Sequence, residues 1–83
     1  MKVTVKYFAS VREDMGVSSE VVQTRAAKLS ELRDELLCRS ADHAQALARG
    51  KAVRMALNQV MSDESALLSE GCEVAFFPPV TGG

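Results

Sequence analysis

The sequence predicts an α+β domain in which a mixed sheet of four to five strands is covered on one face by a main helix. Three observations predict this class. Apolar and polar residues alternate near the start of the chain and again in its last third, which is the period of half-buried strands. Between these stretches, Leu29, Leu32 and Leu36 recur at helical spacing. A hydrophobic content of 47% in 83 residues suits one small domain with a single core.

The first strand is predicted over residues 2–9. Val3, Val5 and Tyr7 share one side of this strand, which we expect to face the core, while the opposite side is polar. Phe8 is the exception, because strand parity puts its ring on the polar side.

A short helix is predicted to follow the first strand. Ser10 and Glu13 have the spacing of a capping box, and Gly16 is suited to end the helix after one or two turns. Residues 17–25 carry three valines among serine, threonine and glutamine. This β-branched content predicts a second strand that pairs with the first.

The main helix is predicted over residues 31–39, with Ser30 as its N-cap and Glu31 at its positive end. A second short helix is predicted over residues 40–49, because this stretch is rich in alanine. Its apolar side would be formed by Ala44, Leu47 and Ala48.

Three further segments complete the predicted sheet. Residues 53–57 alternate like a strand, and Asn58-Gln59 is predicted to turn the chain into a short strand at Val60-Met61. Residues 63–68 fit either a loop or one helical turn. Glu70-Gly71 is the last turn signal before the final strand.

In the final strand, Val74 and Phe76 should face the core while Ala75 and Phe77 point the other way. Beyond Phe77 the chain must leave the folded body. Pro78 and Pro79 fix φ and remove two N–H donors, so neither a helix nor a central strand continues there. We therefore expect a folded body over residues 1–77 and a flexible tail over residues 78–83.

The tail ends in Gly82 and Gly83, and this end is the predicted centre of the chemistry. Glycine has no Cβ, so these residues fit a channel too narrow for any other residue. The terminal carboxyl carbon also stays open to attack.

Charge and composition exclude several classes of function. Ten Lys and Arg oppose eleven Asp and Glu with the signs interspersed, so nucleic acid is not an expected partner. No apolar run approaches the ~20 residues of a membrane span, and strand-like sequence follows Met1-Lys2 directly. We expect no membrane contact and a cytoplasmic location.

The cysteines and the histidine predict no metal site. Cys38 and Cys72 do not form a C-x-x-C pair, and His43 is the only histidine. We expect both thiols to be reduced and structural or on the surface, and His43 to be on the surface or half-buried. A redox protein that uses both thiols is one alternative.

The chain resembles the small, sulfur-carrying subunits of molybdopterin synthase, which are β-grasp proteins of the ubiquitin-like superfamily. The resemblance rests on residues 71–83 (GCEVAFFPPVTGG), on residues 7–13 (YFASVRE) and on residues 57–59 (LNQ). It departs at Cys72, where a polar turn residue is usual, and residues 38–51 match only in length and helical character. The resemblance implies the β-grasp fold.

The resemblance also implies a mechanism centred on Gly83. A ubiquitin-activating-like adenylyltransferase would use ATP to adenylate the terminal carboxylate, and a sulfur-donor protein would convert it to a thiocarboxylate. The tail residues Pro78, Pro79, Val80, Thr81 and Gly82 would then enter the large synthase subunit, in a heterotetramer. Sulfur would pass to cyclic pyranopterin monophosphate to form the dithiolene. No cofactor is expected to be bound permanently, and the catalytic side chains are expected on the large subunit.

Docking requires a surface as well as a tail. Phe8, Met61 and Phe77 are predicted to form one apolar patch on the helix-free face, with Arg12 in a salt bridge at its rim. Stray surface aromatics and a solvated arginine are the simpler interpretation. A sulfur carrier for thiamin or tRNA thiolation and a non-covalent β-grasp interaction module are the alternative functions.

Overall fold

The computed structural model describes residues 1–79, which form a five-stranded mixed sheet and three helices. The elements in chain order are β1 (Lys2–Tyr7), α1 (Ala9–Met15), β2 (Ser19–Gln23), α2 (Leu29–Leu37), α3 (Ala41–Leu47), β3 (Arg54–Leu57), β4 (Val60–Ser62) and β5 (Glu73–Phe77). The predicted α+β class is confirmed, with the main helix at α2. None of the helices within this part of the chain is long and apolar enough to cross a membrane.

The strands lie in the order β2-β1-β5-β3-β4, so the first and last strands are neighbours at the centre of the sheet. β1 and β5 are parallel, and their register aligns Val5 with Val74 and Tyr7 with Phe76. The other pairs are antiparallel. Because β5 is central, the tail begins from a strand that is hydrogen-bonded on both sides.

The core lies between one face of the sheet and the three helices. The expected alternation is confirmed, since the strand residues that face the helices are almost completely buried: Val3, Val5, Tyr7, Val22, Val74 and Phe76. The predicted leucine repeat of α2 packs against them and is equally buried. Burying each such side chain contributes about 1.5–3 kcal/mol before the entropy cost is subtracted. The rings of Tyr7 and Phe76 stack with centroids 6.3 Å apart, which ties β1 to β5 inside this core.

The start of α1 differs from the prediction. The Ser10 capping box is wrong, because the helix begins at Ala9 after an extended Phe8 whose side chain makes no capping hydrogen bond. Ala9 has a φ of 52°, so the chain turns sharply out of β1 one residue before the serine. The Phe8 carbonyl accepts hydrogen bonds from the backbone N–H groups of Val11 and Arg12, which completes the first turn.

The N-cap predicted for α2 is also wrong. The structural N-cap is Lys28, and Ser30 lies inside the first turn. A distant loop satisfies the free N–H groups of that turn, since Leu29 and Ser30 donate to the carbonyls of Ala66 and Glu64. A serine side chain is therefore not needed at this end.

The helix α3 is capped as its sequence allows, but its buried face is rotated from the predicted one. The Ser40 hydroxyl accepts a 3.1 Å hydrogen bond from the His43 backbone N–H. The buried residues are His43, Ala46 and Leu47, while Ala44 is exposed. Arg33 from α2 fixes the other end by donating to the Leu47 carbonyl at 2.8 Å. His43 is only 7% exposed, so the expected surface or half-buried position is wrong.

The hairpin between β3 and β4 turns at the predicted residues. Asn58 and Gln59 have φ values of 50° and 68°, which is the pattern of the type I′ turn that suits a two-residue hairpin. The following stretch, residues 63–68, contains a turn and an isolated bridge, and no helical turn. Gly71 then turns the chain with a φ of 77° into β5.

Candidate functional site

The base of the tail is the first part of the predicted site. Pro78 and Pro79 are half-buried and directly follow the last strand. The rest of the predicted tail, Val80, Thr81, Gly82 and the proposed sulfur-carrying Gly83, lies outside the described residues. The structure therefore describes only the connection between β5 and the first two residues of the tail.

Backbone pairing holds β5 in place up to the first proline. On one side, the Phe8 N–H donates a 3.1 Å hydrogen bond to the Phe76 carbonyl, which carries the ladder one residue beyond β1. On the other side, Phe77 is the register partner of Arg54, the first residue of β3. The prolines begin where this pairing ends, because they have no N–H to donate. The tail thus starts from a strand that is paired with a neighbour on each side.

The sheet face opposite the helices is called here the open face. The register assigns to this face one set of alternating strand residues: Thr4, Lys6, Val21, Arg54, Ala56, Met61, Glu73, Ala75 and Phe77. Ala75 and Ala56 are direct partners at its centre, and Met61 is the next partner across. Alanine side chains are short, so they leave a flat floor between larger neighbours.

The residues of the predicted apolar patch lie on or beside the open face. Met61 is 63% exposed, and Phe8, at the end of the β1 ladder, is 44% exposed. Phe77 is half-buried at the tail base. Val21, which is 64% exposed, lies on the same face but on the edge strand β2, away from Phe77 and the tail base. Because Val21 and Val22 are adjacent, the sequence alone does not say which of them faces the core. The register with β1 decides it.

Charged residues also lie on or near the open face. Lys6 and Glu73 form a salt bridge of 3.2 Å across β1 and β5. Both are partly exposed, so the pair contributes at most about 1 kcal/mol. Arg12 is exposed on α1 and has no acidic partner within residues 1–79, so the predicted rim salt bridge would need an acid from another protein.

A groove runs beside the tail base at the β3–β4 end of the sheet. Its volume is about 930 Å³, and it is lined by Val53, Arg54, Met55, Met61 and residues 62–66. Sequence reasoning missed it, because residues 63–66 meet β3 only in the folded chain. The groove shares Arg54 and Met61 with the open face.

A partly buried polar cluster on the helix-covered side was also missed. The Tyr7 hydroxyl donates to Glu20 Oε2 at 2.7 Å, and His43 Nε2 lies 2.8 Å from the same oxygen. Ser40 Oγ lies 2.6 Å from His43 Nδ1, so four side chains connect β1, β2 and α3. The hydrogen-bonded pair Glu20 and His43 is separated by 23 positions, so no local sequence pattern predicts the cluster.

The cluster shifts the ionisation of its members. Burial, reinforced by the hydrogen bond to Glu20, raises the pKa of Tyr7. Burial alone would raise the pKa of Glu20 too, but the hydrogen bonds from Tyr7 and His43 together with the nearby positive charge outweigh it and lower that pKa. Glu20 is therefore held as a carboxylate that anchors α3 to the sheet.

The two cysteines occupy different environments. Cys72 is buried in the core and Cys38 is exposed at the end of α2, and both are free thiols. The burial of Cys72 favours a packing role over redox exchange with Cys38.

Comparison with known proteins finds relatives that match almost the whole chain. The molybdopterin synthase sulfur carrier subunit of Escherichia coli is 40% identical over 81 residues, which are 98% of this chain and 99% of that protein. One solved structure is a complex of subunits 1 and 2 of molybdopterin-converting factor from Helicobacter pylori. A chain of this complex matches with a TM-score of 0.71 and 27% identity, and the match covers 100% of both chains.

A more distant structure supports the fold alone. SAMP1 from Haloferax volcanii superimposes with a TM-score of 0.77 at 24% identity, and the match covers 100% of both chains. The predicted β-grasp fold is thereby confirmed. The model of the ThiS family matches residues 5–83, a range that includes the tail. The chain therefore belongs to the ThiS family.

Proposed function

We propose that this chain is the sulfur carrier subunit of a molybdopterin synthase and that Gly83 bears the sulfur. The observation that carries the proposal is the 40% identity to the Escherichia coli sulfur carrier subunit along 98% of the chain. The family match extends through residue 83, so the Gly-Gly end belongs to the shared sequence.

The chemistry follows from the weakness of a carboxylate as an electrophile. Its charge repels nucleophiles and its oxide is a poor leaving group, so the Gly83 carboxylate must first be activated. In the proposed cycle, an activating adenylyltransferase transfers AMP from ATP to Gly83. A sulfur-donor protein then delivers sulfur that displaces AMP and leaves a thiocarboxylate. ATP is consumed at the adenylation step, which releases pyrophosphate, and we assign no resident cofactor to the chain.

The folded body and the tail have different proposed roles. We assign residues 1–77 to the folded body and residues 78–83 to the tail, which can extend about 20 Å at ~3.3–3.6 Å per residue. That length is enough for the end of the chain to enter a partner while the body stays outside. The two prolines stiffen the base of the tail, so less conformational freedom is lost on insertion.

The proposed acceptor of the tail is the large synthase subunit, in a heterotetramer. The Helicobacter pylori structure is of a complex between the two subunits of molybdopterin-converting factor, which supports this choice of partner. Phe8, Met61 and Phe77 would dock on the large subunit, and Arg12 would pair with an acid at the rim. The large subunit would supply the catalytic side chains that direct sulfur to cyclic pyranopterin monophosphate. We assign this cycle to the cytoplasm.

Intact-mass measurement tests the sulfur carrier directly. The protein is incubated with its activating enzyme, ATP and a sulfur donor, and we expect a sulfur-for-oxygen gain in mass at the terminus. Two matched controls are a chain lacking Gly83 and a chain with one residue added after it. Both should fold but gain no sulfur, and absence of the gain in the unaltered chain would refute the proposal.

A second step separates molybdopterin synthesis from other carrier pathways. The thiocarboxylated chain is mixed with the large subunit and cyclic pyranopterin monophosphate, and formation of the dithiolene is measured. A carrier for thiamin or tRNA thiolation would gain the sulfur but fail here. A non-covalent interaction module would bind partners equally well with the extra residue after Gly83.

A further inference from the structure

The groove beside the tail base is lined by apolar and polar side chains in similar measure, and three of them are charged. Val53, Met55, Met61 and Ala66 supply apolar surface. Arg54, Asp63 and Glu64 supply the charges. A partner that receives the tail must approach this end of the sheet, because Arg54 is the register neighbour of Phe77.

The two acids of the groove already have partners inside the chain. Glu64 Oε1 accepts a 2.9 Å hydrogen bond from Arg49 and lies 3.8 Å from Arg33. Asp63 accepts a 2.8 Å hydrogen bond from the Ser65 backbone N–H and another from the Ser65 hydroxyl. A ligand in the groove would have to break these contacts to use either carboxylate.

Arg54 differs from both acids. Its side chain is exposed, and within residues 1–79 no acidic group lies within salt-bridge distance of its guanidinium. Lys6, Arg33, Arg49 and Lys51 are all paired with acids of the same chain. Arg54 therefore gives the groove a positive charge that is available to a partner, and this charge lies at the base of the tail.

We propose that Arg54 determines docking: an Asp or Glu of the large subunit, beside the opening that receives the tail, enters the groove and binds this guanidinium. The planar fork of an arginine suits two hydrogen bonds to one carboxylate. Covering Arg54 without such a partner would bury an unpaired charge, which is costly. The apolar lining would contact the aliphatic part of the same partner segment. This inference rests on the proposed function, because it takes the large subunit as the partner.

A matched pair of charge reversals tests the inference. Arg54→Glu is compared with Arg25→Glu, because the Arg25 guanidinium is also exposed and has no salt bridge in residues 1–79, although the Arg25 backbone N–H donates to Glu35. Arg25 follows the edge strand β2, on the far side of the sheet from β3 and β4. The two variants have the same net charge. Association with the large subunit is followed by stopped-flow fluorescence at low and high salt.

We expect Arg54→Glu to associate about ten-fold more slowly at low salt, while Arg25→Glu stays within about two-fold of the unaltered chain. The difference in association rate between the two variants should be smaller at high salt, where exposed charges are screened. Arg54→Lys should keep the association rate but dissociate faster, because a lysine keeps the charge and loses the fork. Equal rates for the two charge reversals would overturn the inference.

Two further observations make the test decisive. Thermal unfolding of each variant establishes that the body is intact, and Arg54→Gln replaces Arg54→Glu if the charge reversal unfolds. Among Asp→Lys and Glu→Lys variants of the large subunit, one should restore the association of Arg54→Glu. If the unaltered chain fails to bind the large subunit, the proposed function fails as well. If it binds and the two reversals behave alike, only the role of Arg54 is lost.

Discussion

The two faces of the same sheet are built differently. The helix-covered face presents large side chains that are almost fully buried, such as Val5, Val74 and Phe76. The open face presents a floor of two alanines bordered by exposed residues such as Met61 and Val21. A strand alternates between these faces, so adjacent residues of β5 serve opposite purposes. One face stabilises the fold, and the other is left available to a partner.

Phe76 and Phe77 provide the sharpest test of this difference. They are neighbours in sequence and identical in chemistry, and they point to opposite faces. Phe76→Ala should lower the free energy of unfolding by about 3–5 kcal/mol, because it leaves a cavity in the core and removes the ring that stacks on Tyr7. Urea denaturation followed by circular dichroism measures the loss. A change below about 1 kcal/mol would contradict the assignment of the core face.

Phe77→Ala should weaken binding to the large subunit more than it weakens the fold. The ring is half-buried, so we expect a stability loss of only about 1 kcal/mol, but affinity for the large subunit should fall about ten-fold. Isothermal titration calorimetry with the large subunit measures this. Val21→Ala is the matched control, because Val21 is exposed on the same face but lies on the edge strand β2. If Phe77→Ala binds normally, the open face is not the docking surface.

The sequence predicted the alternation of the faces well and the ends of the helices poorly. Parity alone assigned Val3, Val5 and Phe76 to the core, because strand periodicity is local. The caps expected at Ser10 and Ser30 failed for a non-local reason. The carbonyls of Phe8 and of residues 64 and 66 satisfy those helix starts, and no short motif encodes such partners.

The candidate site was predictable to the same extent. Strand parity predicted that Phe8 and Phe77 share the helix-free face with Met61 beside them, and the register puts Phe77 and Met61 on the open face. The proposed tail chemistry rests on the family resemblance. The groove and the polar cluster were not predicted, because their members come from segments that only the fold brings together. Glu20 and His43, for example, are separated by 23 residues.

The polar cluster should stabilise the helix-covered side by an intermediate amount. Glu20→Gln removes a carboxylate that accepts from Tyr7 and lies 2.8 Å from His43, so we expect a loss of about 1–3 kcal/mol. Chemical denaturation at neutral pH measures it. A double-mutant cycle with His43→Gln should give a coupling of about 0.5–3 kcal/mol, and additive losses would mean that the two residues act independently.

The same cluster predicts how stability depends on pH. The pKa of Glu20 is lower in the folded protein than its ordinary value, so folding favours the carboxylate. Its contribution is therefore fully present above the unfolded pKa and is lost as pH falls through the folded pKa. Glu20→Gln should flatten the stability profile in that acidic window. If the stability of the variant falls with decreasing pH as steeply as that of the unaltered protein, groups other than Glu20 cause the pH dependence.

The smallest effect is expected from the Lys6–Glu73 ion pair on the open face. Lys6 and Glu73 are both partly exposed, so water screens their attraction and holding two long side chains together costs entropy. A double-mutant cycle of Lys6→Ala and Glu73→Ala should give a coupling of about 0.2–1 kcal/mol that falls in high salt. A larger, salt-insensitive coupling would mean that the open face also stabilises the fold. A small coupling leaves both charges available to exchange partners when another protein covers that face.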